Sequence, residues 1–99
     1  MKYNLSDKII KEIKSIARKY LIKKIILFGS RARGDNKPTS DIDIAVYTFP
    51  KFDNEGLFVS EIQDLNTLLK IDIVFLKDIT NEKLIANIKE EGVVIYERL

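Results

Sequence analysis

The 99-residue chain has neither cysteine nor histidine. Without cysteine there is no disulfide framework, no thiolate nucleophile and no zinc-thiolate site. Without histidine the usual general base near neutral pH and the commonest metal ligand are both gone. Chemistry therefore falls to carboxylates, lysines, arginines, hydroxyls or a bound metal. Apolar runs stay far below the roughly 20 residues that a membrane span needs. Met1 to Tyr20 mixes charge with apolar residues throughout and does not read as a signal peptide. These absences point to a cytoplasmic protein with no membrane partner. The chain also lacks G-x-x-x-x-G-K-[ST] and G-x-G-x-x-G, which excludes a P-loop ATPase and a dinucleotide-binding fold. No repeat, low-complexity tract or linker divides it, and its length suits one domain over 1–99 with a modest core.

What is present reads as globular, with 45% hydrophobic and 32% charged residues, too apolar for a disordered chain. The net charge of +2 is unevenly spread. Residues 1–24 hold eight Lys/Arg against Asp7 and Glu12, whereas the rest carries nine basic and thirteen acidic residues. A basic N-terminal face can meet nucleic acid or an acidic partner, but the commoner reading is a solvated helix face. Richness in lysine and glutamate, with a single methionine, hints at heat adaptation.

Ile9, Ile10, Ile13, Ile16, Ala17 and Tyr20 recur at three- and four-residue spacing, which predicts an amphipathic helix over 6–20 with Ser6 as N-cap. Ile25 to Phe28 is a short apolar strand suited to burial on both faces. Ser30 to Gly34 can start a short helix, and 35–40 is loop chemistry. From Asp41 to Tyr47 the residues alternate, Asp41, Asp43 and Ala45 facing one way and Ile42, Ile44 and Val46 the other. Phe58, Ile62, Leu65 and Leu69 predict a long helix over about 56–69. Ile71 to Leu76 is a further strand, and strand, helix, strand at this spacing suggests that 41–47 and 71–76 are parallel neighbours. Thr80 can cap another helix carrying Leu84, Ile85 and Ile88, ended by Gly92, and Val93 to Tyr96 closes the chain as a strand. The expected class is α/β (α+β), a mixed sheet of about four strands flanked by three to four helices.

The chemistry concentrates in IILFGSRARGDNKPTSDIDIAV, residues 25–46. Two carboxylates at i and i+2 on a strand point the same way with Cα atoms about 6.6 Å apart, and can converge on metal ions about 3.5–4 Å apart. Uncompensated, they repel until one protonates, whereas a hard divalent cation such as Mg²⁺ removes the conflict. A lone D-x-D is more often a strand end facing water. Gly29 lets a phosphate approach the backbone, where the Ser30 hydroxyl and the helix-start amides can donate to it, or Gly29-Ser30 is an ordinary strand-to-helix turn. Arg31 and Arg33 can complement phosphate charge or stay solvated. Gly34 permits a backbone turn and Lys37 lies at the surface. Asp72, between Ile71 and Ile73, is costly to bury unpaired, and beside Asp41 and Asp43 it completes three carboxylates. Asp64 and Asp78 are weaker rivals, on a helix face and in a loop.

Taken together, the pattern resembles the minimal nucleotidyltransferases of the DNA polymerase beta superfamily. Gly29-Ser30, ten intervening residues and Asp41-Ile42-Asp43 match that family's G-S-x10-D-x-D signature, with GSRARG, SDIDIAV, KIDIVF and the closing EGVVIYER also in place. The resemblance implies the nucleotidyltransferase fold, with Asp41, Asp43 and Asp72 catalytic and holding two Mg²⁺ ions. Gly29, Ser30, Arg31 and Arg33 would bind the nucleotide, and Asp72 would help deprotonate the attacking hydroxyl. Larger superfamily members carry a further domain for the acceptor or base. This chain has no room for one, which implies an acceptor site borrowed from a partner. Members are typically paired with a small helical HEPN-type protein as antitoxin and toxin, the former able to neutralise the latter by transferring AMP from ATP to a tyrosine.

Two other functions compete. A non-catalytic antitoxin would bind nucleotide and neutralise its partner by contact, but would have no need of three intact aspartates. A nucleic-acid binder using the basic N-terminal helix is disfavoured by the near-neutral total charge and the lack of interleaved aromatic and basic residues. No stretch reads as a base pocket, and the pattern leaves oligomeric state open, a homo-oligomer included.

Overall fold

The computed structural model describes residues 3–99. The first helix, α1 (Asp7–Lys19), is capped as its sequence requires: the Ser6 hydroxyl accepts from the Ile9 amide at 3.2 Å. Its apolar stripe turns Ile13 and Ala17 fully inward. The next apolar run becomes β1 (Lys24–Phe28), with Ile25, Ile26 and Leu27 all buried. Such a strand belongs inside a sheet, and β1 pairs antiparallel with β2 (Ile42–Tyr47) on one side and with β4 (Val93–Glu97) on the other. Between β1 and β2 lie the four-residue helix α2 (Ser30–Arg33) and the 34–41 loop.

The crossover from β2 through α3 (Glu55–Gln63) brings β3 (Ile71–Phe75) parallel to β2, as its spacing predicts. A one-turn 3-10 helix (Leu76–Asp78) leads to α4 (Glu82–Glu91) and then to β4. Among the described residues the sheet has four strands in the order β3-β2-β1-β4, a mixed sheet carrying four α-helices.

The period-two alternation sorts the two faces. Ile42, Ile44 and Val46 join Ile25 and Leu27 beneath α1 and α3, against Ile13, Phe58 and Ile62. Fully burying each such side chain contributes roughly 1.5–3 kcal/mol. On the opposite face Ile88 of α4 packs on Ile26 and Ala45, with Phe28 and Val74 beside them. Asp43 and Asp72 have the parity of this second face.

Two sequence expectations need correction. The helix expected over 56–69 stops at Gln63. Leu65 and Leu69 still reach the core from irregular backbone, held by a Leu69 amide bond to the Thr67 hydroxyl at 3.1 Å, while Leu68 is fully exposed. Asn81, not Thr80, caps α4, its side chain accepting from the Lys83 and Leu84 amides at 3.0 and 3.2 Å. Gly92 ends α4 as expected, in extended backbone with a φ of −68°. What it supplies there is a missing side chain, since a Cβ would run into the Ile26 methyl and the Ile88 carbonyl. No helix among the described residues is long and apolar enough to cross a membrane.

Candidate active site

Where β1 ends, Phe28 pairs with Asp43 across the antiparallel ladder. The chain turns at Gly29, whose φ of 75° and ψ of −158° fall where only glycine is at ease. A second feature opposes any side chain here. A Cβ on Gly29 would stand 2.5 Å from Asp43 Oδ2, so the carboxylate lies directly over the bare backbone. Ser30 then opens α2, half-buried, and Gly34 permits the expected backbone turn, closing the helix in a left-handed conformation (φ 84°).

On the other flank the parallel register sets Asp72 of β3 directly opposite Asp43 of β2, neighbours about 4.8 Å apart across the ladder and on the same face. Asp43 is half-buried, and its carboxyl is pushed above the usual aspartate range. Loss of water is the largest cause; the charges of Asp72 and Asp41 and a hydrogen bond shared with Asp72 follow, with Arg33 pulling weakly the other way. The neighbouring acidic charges thus add to the effect of burial on Asp43. Lys70 provides one local counter-charge, its Nζ 3.3 Å from Asp72 Oδ1. Sequence reading gave Lys70 no role, yet it stands at i−2 from Asp72, where a strand puts both on one face.

The other expected site residues divide. Asp41 lies one residue before β2 and is exposed, near enough for its charge to act on Asp43 but outside the strand predicted to carry it. Arg33 is at the same end, with its guanidinium taken by Asp35 at 3.0 Å and by Glu91 at 2.8 Å. Arg31 is a correction. Its side chain is turned inward with 5% exposed, and its nitrogens donate to the carbonyls of Ser40 (3.0 Å), Asn4 (3.1 Å) and Pro38 (3.0 Å). A guanidinium so enclosed is not free to meet a phosphate. Lys37 is exposed as expected, and the rivals Asp64 and Asp78 are exposed on the end of α3 and in the 3-10 turn.

The donor set is all carboxylate oxygen, crowded with like charge and set over a glycine that keeps the approach open. That chemistry fits a hard divalent cation. Among the described residues no three acidic side chains already close on a common point. The fit rests on Asp43 and Asp72, with Asp41 exposed and near enough for its charge to act on Asp43.

Comparison with known proteins identifies the family and the fold. The family described as Polymerase beta, Nucleotidyltransferase matches residues 11–99. Two proteins of Methanocaldococcus jannaschii, each named "putative protein adenylyltransferase", are 36% and 39% identical to this chain. The first alignment covers 89% of this chain and 99% of the relative, the second 91% and 97%. Among solved structures, a toxin-antitoxin crystallised with AMP-PNP superposes with a TM-score of 0.71 at 24% identity, covering 90% of this chain and 73% of the other. The MNT antitoxin bound to a tri-AMPylated Shewanella oneidensis HEPN toxin belongs to a complex that matches with a TM-score of 0.68 at 21% identity, covering 95% and 74%. At these identities the structures establish a shared fold. With the family match reaching from α1 to the last residue and the relatives aligned end to end, this chain belongs to the polymerase beta nucleotidyltransferase family and is a nucleotidyltransferase.

Proposed function

We propose that the protein transfers AMP from ATP to a hydroxyl on a partner protein, and that it is the antitoxin of a HEPN/MNT pair. The observation that carries the reading is the meeting of Asp43 and Asp72 on adjacent parallel strands, with Asp43 set over Gly29 at the turn into α2. Relatives named as protein adenylyltransferases support the acceptor class. Similarly folded proteins seen with AMP-PNP or with an AMPylated HEPN toxin support the nucleotide and the partner.

In this reading Gly29 leaves the backbone bare for the β- and γ-phosphates, and the Ser30 hydroxyl with the amides opening α2 donates to them. Asp41, Asp43 and Asp72 would hold Mg²⁺, as a pair of ions. When bound, Mg²⁺ supplies positive charge against the phosphates and makes a coordinated hydroxyl more acidic. Asp72 faces the acceptor side and takes the proton of the attacking hydroxyl. The oxygen forms its bond to the α-phosphorus as the bond to pyrophosphate breaks, an in-line displacement driven by positioning and charge neutralisation. Lys70, its Nζ 3.3 Å from Asp72 Oδ1, sets a positive charge beside that carboxylate and helps to orient it.

The test is incubation with α-labelled ATP, Mg²⁺ and a HEPN-type protein encoded beside this gene. Label is expected on the partner, on a tyrosine, and not on partner incubated with Asp43→Asn, which keeps its fold. Neutralisation that persists in the Asp41→Asn, Asp43→Asn double variant would mean that contact, and not transfer, silences the partner.

A further inference from the structure

We infer that Arg31 is a positioning residue: its guanidinium clamps the N-terminal segment and the 34–41 loop to α2, and so fixes where Ser30 and Asp41 stand. This role rests on the active-site reading above. The clamp joins three stretches distant in sequence. Nε holds the Ser40 carbonyl at 3.0 Å, immediately before Asp41. Nη2 holds the Pro38 carbonyl at 3.0 Å, and Nη1 crosses to the Asn4 carbonyl at 3.1 Å. The tie to the N-terminal segment is reciprocal, since the Asn4 amide donates to the Arg31 carbonyl at 2.8 Å. Leu5, next in the chain, is buried in the core and anchors that strap.

Only a guanidinium has the planar fork to reach three carbonyls in divergent directions. A lysine would keep the charge, but its single nitrogen cannot span them. The need for such a device is visible in the backbone. Asp41 precedes β2, so no sheet bond of its own strand holds it, and the loop before it contains Pro38, which lacks an amide donor. The Ser40 amide bonds only to Lys37, and the Ser40 hydroxyl accepts from the Lys37 amide at 2.9 Å, both within the same loop. The Gly34 and Asp35 amides bond to the Ser30 carbonyl at the near end of the loop, and Arg31 ties its far end, Pro38 and Ser40, to the helix that begins with Ser30. Its charge is spent on backbone carbonyls, so it acts on the reaction through geometry.

The experiment compares Arg31→Lys and Arg31→Met in the full chain, measuring transfer from ATP below the melting temperature of each variant together with hydrogen exchange across 36–41. Both variants are expected to lose kcat by about 10²-fold, the scale of a misplaced catalytic group. KM for ATP should move far less, and the exchange protection of 36–41 should fall. Asn4→Pro, at an exposed position, removes the amide donor to the Arg31 carbonyl and should shift both readouts the same way by a smaller factor. Recovery of activity in Arg31→Lys, with a raised KM for ATP in Arg31→Met, would assign the residue to phosphate charge and overturn the clamp. Unchanged kcat per folded molecule, with only a lower Tm, would overturn it in favour of a purely structural arginine. Should the wild type transfer nothing from ATP, the proposed activity fails separately. Protection of 36–41 in the three variants then decides for or against the clamp by itself.

Discussion

Under α1 and α3 the sheet presents Ile25, Leu27, Ile42 and Ile44 with no surface exposed, and the covering helices answer with Ile13, Phe58 and Ile62, equally enclosed. On the opposite face α4 covers Ile26 and Ala45 and leaves Asp43 and Asp72 half-exposed, side by side. The same two strands serve both faces, because a strand turns alternate residues to opposite sides. One face gains free energy from apolar burial. The other holds like charges in a partly desolvated corner, an arrangement that costs stability until a counter-charge arrives. A domain of this size can carry that cost only because the first face is so completely packed. The polar groups of each face differ in the same sense. Glu61, on the α3 side, is bonded to the Tyr20 hydroxyl and to Lys19 at 3.0 Å, whereas Asp43 lies opposite Asp72 and within reach of the charge of Asp41.

The largest expected effect breaks the packed face. Phe58 is fully buried with its ring edge-on to Tyr20 and Phe75. Phe58→Ala should lower the unfolding free energy by about 3–5 kcal/mol, read by urea denaturation. Transfer activity of the remaining folded protein should be little changed, because the site lies on the other face. A variant as stable as wild type would remove the claim that this face carries the fold.

Gly29→Ala reverses the pattern. The positive φ and the approach of Asp43 Oδ2 oppose any side chain, with strain of about 1–3 kcal/mol. Here the fold should survive while transfer is lost through displacement of Asp43, so activity falls much further than Tm. Equal losses in both would indicate a merely structural glycine.

The smallest effect sharpens the contrast between the two carboxylates. Hydrogen bonds from Tyr20 and then Lys19 hold the Glu61 carboxyl below the usual glutamate range. A depressed folded pKa means that the unfolded chain binds the proton first. Its contribution is therefore present above the ordinary glutamate pKa and lost as pH falls through the folded value. Glu61→Gln should be slightly less stable than wild type at neutral pH, and the gap should close in acid. A gap that widens in acid would contradict the assignment.

Much of this was legible in the chain. Gly29-Ser30 and the alternation through Asp43 placed the turn and the acidic face, and the 41–76 spacing foretold the parallel β2-β3 pair. What escaped reading had physical causes. Arginine beside a glycine-rich turn reads as a phosphate ligand, and nothing local shows that carbonyls from Asn4, Pro38 and Ser40 will surround Arg31. Leu65 and Leu69 keep a helical period although the backbone leaves the helix at Gln63, because apolar side chains can reach a core from irregular backbone as well. Thr80 and Asn81 both suit an N-cap, and only the final turn geometry selects Asn81.

The central claim, that Asp43 and Asp72 stand in mutual repulsion that a divalent cation relieves, is tested most directly by thermal melting with and without Mg²⁺. Wild type is compared with the Asp43→Asn, Asp72→Asn double variant. The double variant should melt higher than wild type in the absence of metal, and added Mg²⁺ should raise the Tm of wild type alone. A similar Mg²⁺ response in both proteins, or a double variant that melts lower than metal-free wild type, would contradict it.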